Sequence, residues 1–308
     1  MKQNYLSIDI GGTHIKMALI DSNGGIHSKK KVRTPHEYDE FIAVLNEEIK
    51  LLADEIRGIA FSCPGKVNTE TGMISFGGAL PFLDGLSLIK EFQPKYDMPV
   101  SVINDGKAAA LSELWLGNLK GIANGLAIVL GTGVGAGIIL DGKLYQGNHF
   151  QAGEISFMMK PSATPSFNDM YGFSGSAVNL IEKVNMVSGT EDKKDGTAAF
   201  EAINQKDPRV YPIFETYAKE IALMICNIQA VLDLEKIVIG GGISSQPIVT
   251  EEIRKQYLAI RTNFPFMANT LTEVEIDSCC FLNDANLLGA LYQLLLHDKE
   301  EMDSSQES

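Results

Sequence analysis

Leu6-Ser7-Ile8-Asp9-Ile10-Gly11-Gly12-Thr13-His14-Ile15-Lys16-Met17-Ala18-Leu19-Ile20-Asp21 holds two strand-like segments joined by a Gly-Gly-Thr turn. Polar and apolar residues alternate with period 2, and Asp21-Ser22-Asn23-Gly24-Gly25 leads into a third segment from Ile26 to Val32. This pattern predicts a three-stranded meander over residues 5–32. It returns at Leu126–Gly147, where Ala127-Ile128-Val129-Leu130 runs into Gly131-Thr132-Gly133, then Gly137-Ile138-Ile139-Leu140 and Asp141-Gly142. Gly11 precedes Asp21, and Gly131 precedes Asp141, by the same ten positions. Such a repeat predicts two related domains facing one another.

Away from the meanders, strands alternate with helices. Helical periodicity covers residues 38–53, 107–115, 211–233, 246–259 and 285–297, and buried strand runs cover 58–62, 99–103 and 236–239. Both halves are therefore expected to be α/β with mixed sheets, and the pattern breaks between them at residues 116–124. Residues 298–308 carry five acids and one lysine and are expected to be a solvated tail.

The chain has 308 residues, enough for about two domains. Lys and Arg total 26 against 39 Asp and Glu, a net charge of −13. Its largest basic cluster is Lys29-Lys30-Lys31 with Arg33, so nucleic-acid and anionic-membrane partners are excluded. No apolar run reaches the roughly 20 residues of a membrane span, and the N-terminus enters a strand without a signal-like segment. A cytoplasmic protein is expected. Cys63, Cys226, Cys279 and Cys280 have no Cys-x-x-Cys spacing and are expected to be buried free thiols.

The glycine clusters carry the chemistry. No Gly-x-x-x-x-Gly-Lys-Ser/Thr motif occurs, and Gly131-Thr132-Gly133-Val134-Gly135-Ala136 enters a strand where a dinucleotide fingerprint would open a helix. Two Gly-Thr turns, at Gly11-Gly12-Thr13 and Gly131-Thr132-Gly133, can aim backbone N–H groups and a hydroxyl at an anion; together they would grip nucleotide phosphates. Asp9 would then sit beside the phosphates and hold Mg²⁺ through water, and Lys16 would add positive charge. Either turn alone is also what an ordinary hairpin requires. Gly240-Gly241-Gly242, between a strand and a helix, either lets an adenosine lie against backbone or makes a tight crossover. Asp105, at a strand end and a helix start, is either a helix cap or a general base. Glu154 reaches the same cleft or is a surface acid.

These residues resemble the ROK family (repressors, open reading frames, sugar kinases). The likeness rests on Asp9-Ile10-Gly11-Gly12-Thr13, Ser62-Cys63-Pro64-Gly65-Lys66-Val67-Asn68, Asn104-Asp105-Gly106, Leu130–Gly137, Ala152-Gly153-Glu154 and Ile239–Gly242, in that order. The resemblance implies two related RNase H-like, actin/hexokinase-type domains with mixed sheets flanking a central cleft. Their expected limits are residues 1–117, completed by the helix at 285–297, and residues 118–284. It further implies that Gly11, Gly12, Thr13, Lys16, Gly131, Thr132 and Gly133 bind ATP phosphates and Gly240–Gly242 the adenosine. Asp105 becomes the catalytic base, and Asn104, Glu154, Gly78 and Ala79 sugar ligands. The reaction implied is transfer of the γ-phosphoryl group of Mg²⁺-ATP to the C6 hydroxyl of a glucose-type sugar, with closure of the cleft on sugar binding. A homodimer is the family expectation.

The chain departs from the family where a zinc site is usual. Members carry Glu-x-Gly-His and a Cys-x-Cys-x₄-Cys cluster; here Glu154-Ile155-Ser156-Phe157 follows the meander, and residues 154–185 contain neither Cys nor His. No zinc is expected. Asn168 or Asp169 stands in for the family's second sugar-binding glutamate. This zinc-less pattern looks most like the β-glucoside kinase branch, with cellobiose as the representative substrate and N-acetylmannosamine or glucose as alternatives. A repressor would need a basic helix-turn-helix before residue 5, and a non-catalytic sensor would not need the complete set of Asp9, Asp105 and glycine turns.

Overall fold

The computed structural model describes residues 4–306, with side chains as far as Lys299. The first part of the chain forms β1 (Asn4–Ile10), β2 (His14–Asp21), β3 (Ile26–Arg33), α1 (Tyr38–Leu52), β4 (Ile56–Cys63), β5 (Lys66–Asn68), β6 (Met73–Ser75), α2 (Leu88–Tyr96), β7 (Val100–Asn104) and α3 (Asp105–Leu116). The second part forms β8 (Gly125–Leu130), β9 (Val134–Leu140), β10 (Lys143–Tyr145), α4 (Tyr171–Ser174), α5 (Ala177–Ser188), α6 (Gly196–Asn204), α7 (Tyr211–Leu232), β11 (Lys236–Gly240), α8 (Pro247–Asn263), α9 (Pro265–Thr270), β12 (Glu275–Ser278) and α10 (Ala285–Gln306).

Each part is organised on one five-stranded sheet. The strand orders are β3-β2-β1-β4-β7 and β10-β9-β8-β11-β12, so the repeat read in the meanders extends to whole sheets. In the first sheet, β1 pairs antiparallel with β2 and parallel with β4, which pairs parallel with β7. In the second, β8 pairs antiparallel with β9 and parallel with β11, which pairs parallel with β12. Two compact units result. One contains the chain up to Gly117, Leu144–Ala152 and the residues from Asp284 on; the other contains Asn118–Lys143 and Gly153–Asn283.

Alternation along β1 sorts its side chains to two faces. Leu6, Ile8 and Ile10 join the core with Phe41, Leu45, Phe61 and Phe92. Ser7 and Asp9 turn toward α10, where the Ser7 hydroxyl donates to the Leu287 carbonyl (2.6 Å). Each core side chain contributes about 1.5–3 kcal/mol on burial. In the second unit, Leu126, Ile128 and Leu130 of β8 pack in a core with Phe214 and Ile221 of α7 and Ile253 and Tyr257 of α8.

α10 packs on α3, β1, β4 and β7. Its closest approach is at Gly289, where a Cβ would lie 1.7 Å from the Ala108 carbonyl oxygen. Trp115 stacks on Tyr292, with centroids 5.1 Å apart. The acidic end expected to be a tail continues α10 as helix through Gln306; side chains beyond Lys299 and residues 307–308 lie outside the described residues.

Two members of the basic cluster are paired on edge strand β3: Lys29 with Asp284 (2.7 Å) and Lys30 with Glu48. Such charges also guard an edge against pairing with another chain. The four cysteines are free, but the expectation that all are buried is corrected. Cys63 and Cys279 are buried, Cys226 is intermediate and Cys280 is exposed. Cys279 faces Gly240, and the chain turns the next residue outward. Among the described residues, no helix is long and apolar enough to cross a membrane.

Candidate active site

In the first unit the Gly-Gly-Thr turn is held from both sides. The Thr34 hydroxyl donates to the Gly11 carbonyl (2.6 Å), and the Thr34 N–H donates to the Thr13 carbonyl (3.0 Å). A Cβ on Gly12 would lie 3.0 Å from Ala79 Cβ, so the turn touches the Gly78-Ala79 loop. Thr13, Gly78 and Ala79 are all exposed.

Asp9 lies buried behind this turn, at 5% exposure. Antiparallel register sets it opposite Lys16, whose Nζ is 3.3 Å from one carboxylate oxygen; the other oxygen accepts a hydrogen bond from Asn286 Nδ2 (3.0 Å). No group of three or more His, Cys, Asp or Glu suited to a metal exists among the described residues. A single carboxylate beside a phosphate-type turn fits Mg²⁺, which keeps most of its waters and takes one or two carboxylates plus substrate phosphates.

The choice left open at Asp105 is between cap and base, and the cap of α3 is Asn104. The Asn104 side-chain oxygen accepts from the Lys107 N–H (3.2 Å), while its Nδ2 donates to the Gly65 carbonyl (3.0 Å) and to Asp105 (2.9 Å). Asp105 is instead the first helical residue, exposed, and its carboxylate also accepts from the Gly106 N–H (2.8 Å). A carboxylate at a helix N-terminus is stabilised in its charged form by the helix dipole. Cys63 lies beneath. Burial, then the Asp105 and Asp9 charges, push its thiol well above the usual range, which leaves it protonated and inert.

In the second unit, the Gly131 N–H donates to the Gly133 carbonyl (3.0 Å), and the Gly131 carbonyl accepts from Ala177 at the start of α5 (2.9 Å). Thr132 is exposed at the tip, as Thr13 is in the first copy. The segment that follows Glu154 is held against the end of this turn by Ser156, whose hydroxyl accepts from the Val134 N–H (3.0 Å) and donates to the Val134 carbonyl (2.9 Å). Gly153 is required there: its φ is +87°, and a Cβ would lie 2.6 Å from the Ala136 carbonyl oxygen.

A cavity of about 590 Å³ opens from Gly131 and Thr132 between α5, α6 and Gly242, reaching Phe200, Glu201 and Gln246. It divides the Gly240–Gly242 run by role. A Cβ would meet Cys279 Sγ at 2.8 Å from Gly240 and the Leu130 carbonyl oxygen at 2.1 Å from Gly241, whereas at Gly242 it would meet open space. Gly240 and Gly241 are packing glycines, and Gly242 lines the cavity.

Asn168 is exposed in the one-turn segment Phe167–Asp169. Its neighbour Asp169 caps that turn, accepting from the Ser166 hydroxyl and N–H (both 2.8 Å), and these bonds hold its pKa below the usual carboxylate value. Around it, Phe167 meets Phe173 edge-on (5.6 Å) and Met159 bridges Met170, a small apolar brace in the stretch without Cys or His.

Three residues escaped the sequence reading. Asn286 and Ser156 act through contacts distant in sequence. Lys107 is 2% exposed and donates to the Phe150 carbonyl (2.7 Å); with the Gln146–Thr69 bond (3.0 Å) it fastens Leu144–Ala152 to the first unit. A lysine inside an Ala-rich buried helix, two residues after Asp105, was the available signal.

The same strand order built twice, with a glycine turn after the first strand of each copy, defines a fold class shared with a ROK hexokinase from Thermus thermophilus, which superimposes with a TM-score of 0.79 at 21% identity, covering 96% of this chain and 99% of that one. Within that class the chain belongs to the ROK family, whose model matches residues 5–297. A β-glucoside kinase of Listeria innocua is 29% identical over 296 residues, spanning 94% of this chain and 96% of the relative. An N-acetylmannosamine kinase of Haemophilus influenzae is 29% identical over 314 residues, spanning 96% and 97%. A ROK family protein from Streptococcus pneumoniae, solved in complex with sucrose, superimposes with a TM-score of 0.86 at 29% identity, covering 96% of this chain and 99% of that one.

Proposed function

We propose that the chain, a ROK sugar kinase, transfers the γ-phosphoryl group of ATP to the C6 hydroxyl of a β-glucoside such as cellobiose. The observation that carries this reading is the exposed Asp105 carboxylate, relieved of capping by Asn104, in the unit whose Gly12 turn abuts the Gly78-Ala79 loop. Asp105 takes the proton of the attacking hydroxyl as its oxygen bonds to phosphorus, and the bond to the β-phosphate oxygen breaks. Asn104, Gly78, Ala79 and Glu154 orient the sugar, with Asn168 as a further ligand. Gly12, Thr13, Thr132 and Gly133 offer backbone N–H groups and hydroxyls to the phosphates, Gly11 and Gly131 shape the two turns by donating their own N–H groups to the His14 and Gly133 carbonyls (3.1 and 3.0 Å), and the cavity at Gly242 takes the adenosine. Mg²⁺, held by Asp9 through water, would neutralise phosphate charge, with Lys16 adding to it.

The acceptor is tested by ADP release with cellobiose, arbutin, glucose, N-acetylmannosamine and N-acetylglucosamine. The two β-glucosides are expected to give the highest kcat/KM. A maximum on N-acetylmannosamine, the activity named for the Haemophilus relative, would replace the acceptor, and no turnover on any sugar would remove the kinase reading. The stretch from residue 154 to 185 lacks Cys and His, so elemental analysis is expected to find well under one zinc per chain; stoichiometric zinc would overturn that part.

A further inference from the structure

Phe76 stands next to the sugar loop in a conformation that costs it energy. Its φ is +57°, the left-handed region that bulky side chains rarely adopt, and the residue is 77% exposed. It stacks on no other aromatic ring among the described residues. The backbone is nevertheless fixed there: the Phe76 N–H donates to the Asp84 carboxylate (2.9 Å). Its carbonyl oxygen lies 2.5 Å from where a Cβ of Gly65 would be, and Gly65 is the residue whose carbonyl accepts from Asn104. Phe76 is thus two contacts from Asn104, three from Asp105, and two residues before Gly78. A glycine would adopt this backbone without strain, and a polar residue would suit the exposure. In the free protein the ring is both strained and wet, a combination that collects at functional sites.

We infer that Phe76 is a platform on which the second ring of the acceptor stacks, making it the residue that favours a ring-bearing glycoside over a free monosaccharide. The inference rests on the β-glucoside reading above. A pyranose or phenyl ring presents an apolar face that an exposed aromatic covers, and the gain arises only when a second ring is present.

The test compares kcat/KM for cellobiose, arbutin and glucose in the wild-type protein and in Phe76→Ala, Phe76→Gly and Phe76→Tyr. Phe76→Ala and Phe76→Gly are expected to lose about tenfold on cellobiose and arbutin, mainly through KM, and less than about twofold on glucose; Phe76→Tyr retains the preference. Phe76→Gly relieves the backbone strain, so its folding is secure even if the alanine variant is weakened. Unchanged glycoside kinetics, or equal losses on glucose and glycosides, would overturn the platform while leaving the kinase reading intact. A wild-type enzyme that ignores both glycosides would remove the acceptor reading and the platform together.

Discussion

Asp105→Asn is expected to lower kcat by about 10²–10⁴-fold while leaving the fold and ATP affinity nearly unchanged, the usual contribution of a positioned general base. The amide has the shape of the carboxylate and cannot take a proton. The α3 cap is supplied by Asn104, and the loss of one charge near a helix N-terminus is expected to cost about 0.3–1 kcal/mol. The cavity proposed for the adenosine is lined by residues of the second unit, from Leu130 to Gln246. ADP release, calorimetric ATP titration and a thermal melt on one preparation separate these effects. Near wild-type turnover from a folded Asp105→Asn protein would remove Asp105 from the chemistry.

Gly289→Ala is expected to destabilise the protein by about 3 kcal/mol or more, at the upper end of overpacking costs. Helix propensity alone gives the opposite sign, since alanine is favoured over glycine by roughly 1 kcal/mol in a helix interior. The close approach to α3 decides the outcome. A Cβ there would lie 1.7 Å from the Ala108 carbonyl oxygen and 2.4 Å from its carbon, both backbone atoms that no rotamer change can move. α10 would have to lift from α3, disturbing buried Leu287, Leu288, Ala290, Leu291 and Leu294. It also carries Asn286, which holds Asp9. Urea unfolding should show a lower midpoint; a midpoint at or above wild type would show that the helices separate at little cost.

What could be read from residue order was whatever short-range physics controls. Period-2 alternation and glycine turns located both meanders, and the ten-residue interval from Gly11 to Asp21 and from Gly131 to Asp141 exposed the duplication, because strand faces and hairpin turns depend on neighbours a few positions apart. Asp9, Asp105 and the Gly-Thr turns were singled out as candidates for the same reason. Tertiary structure alone decided which of two adjacent residues caps α3, which glycine of Gly240-Gly241-Gly242 faces a cavity, and what each buried polar group meets. Asn286 reaches Asp9 across 277 positions and Lys107 reaches Phe150 across 43. No local pattern encodes such contacts, since a hydrogen bond or a backbone clash depends on where the folded sheets and helices bring two atoms, whatever their distance along the chain.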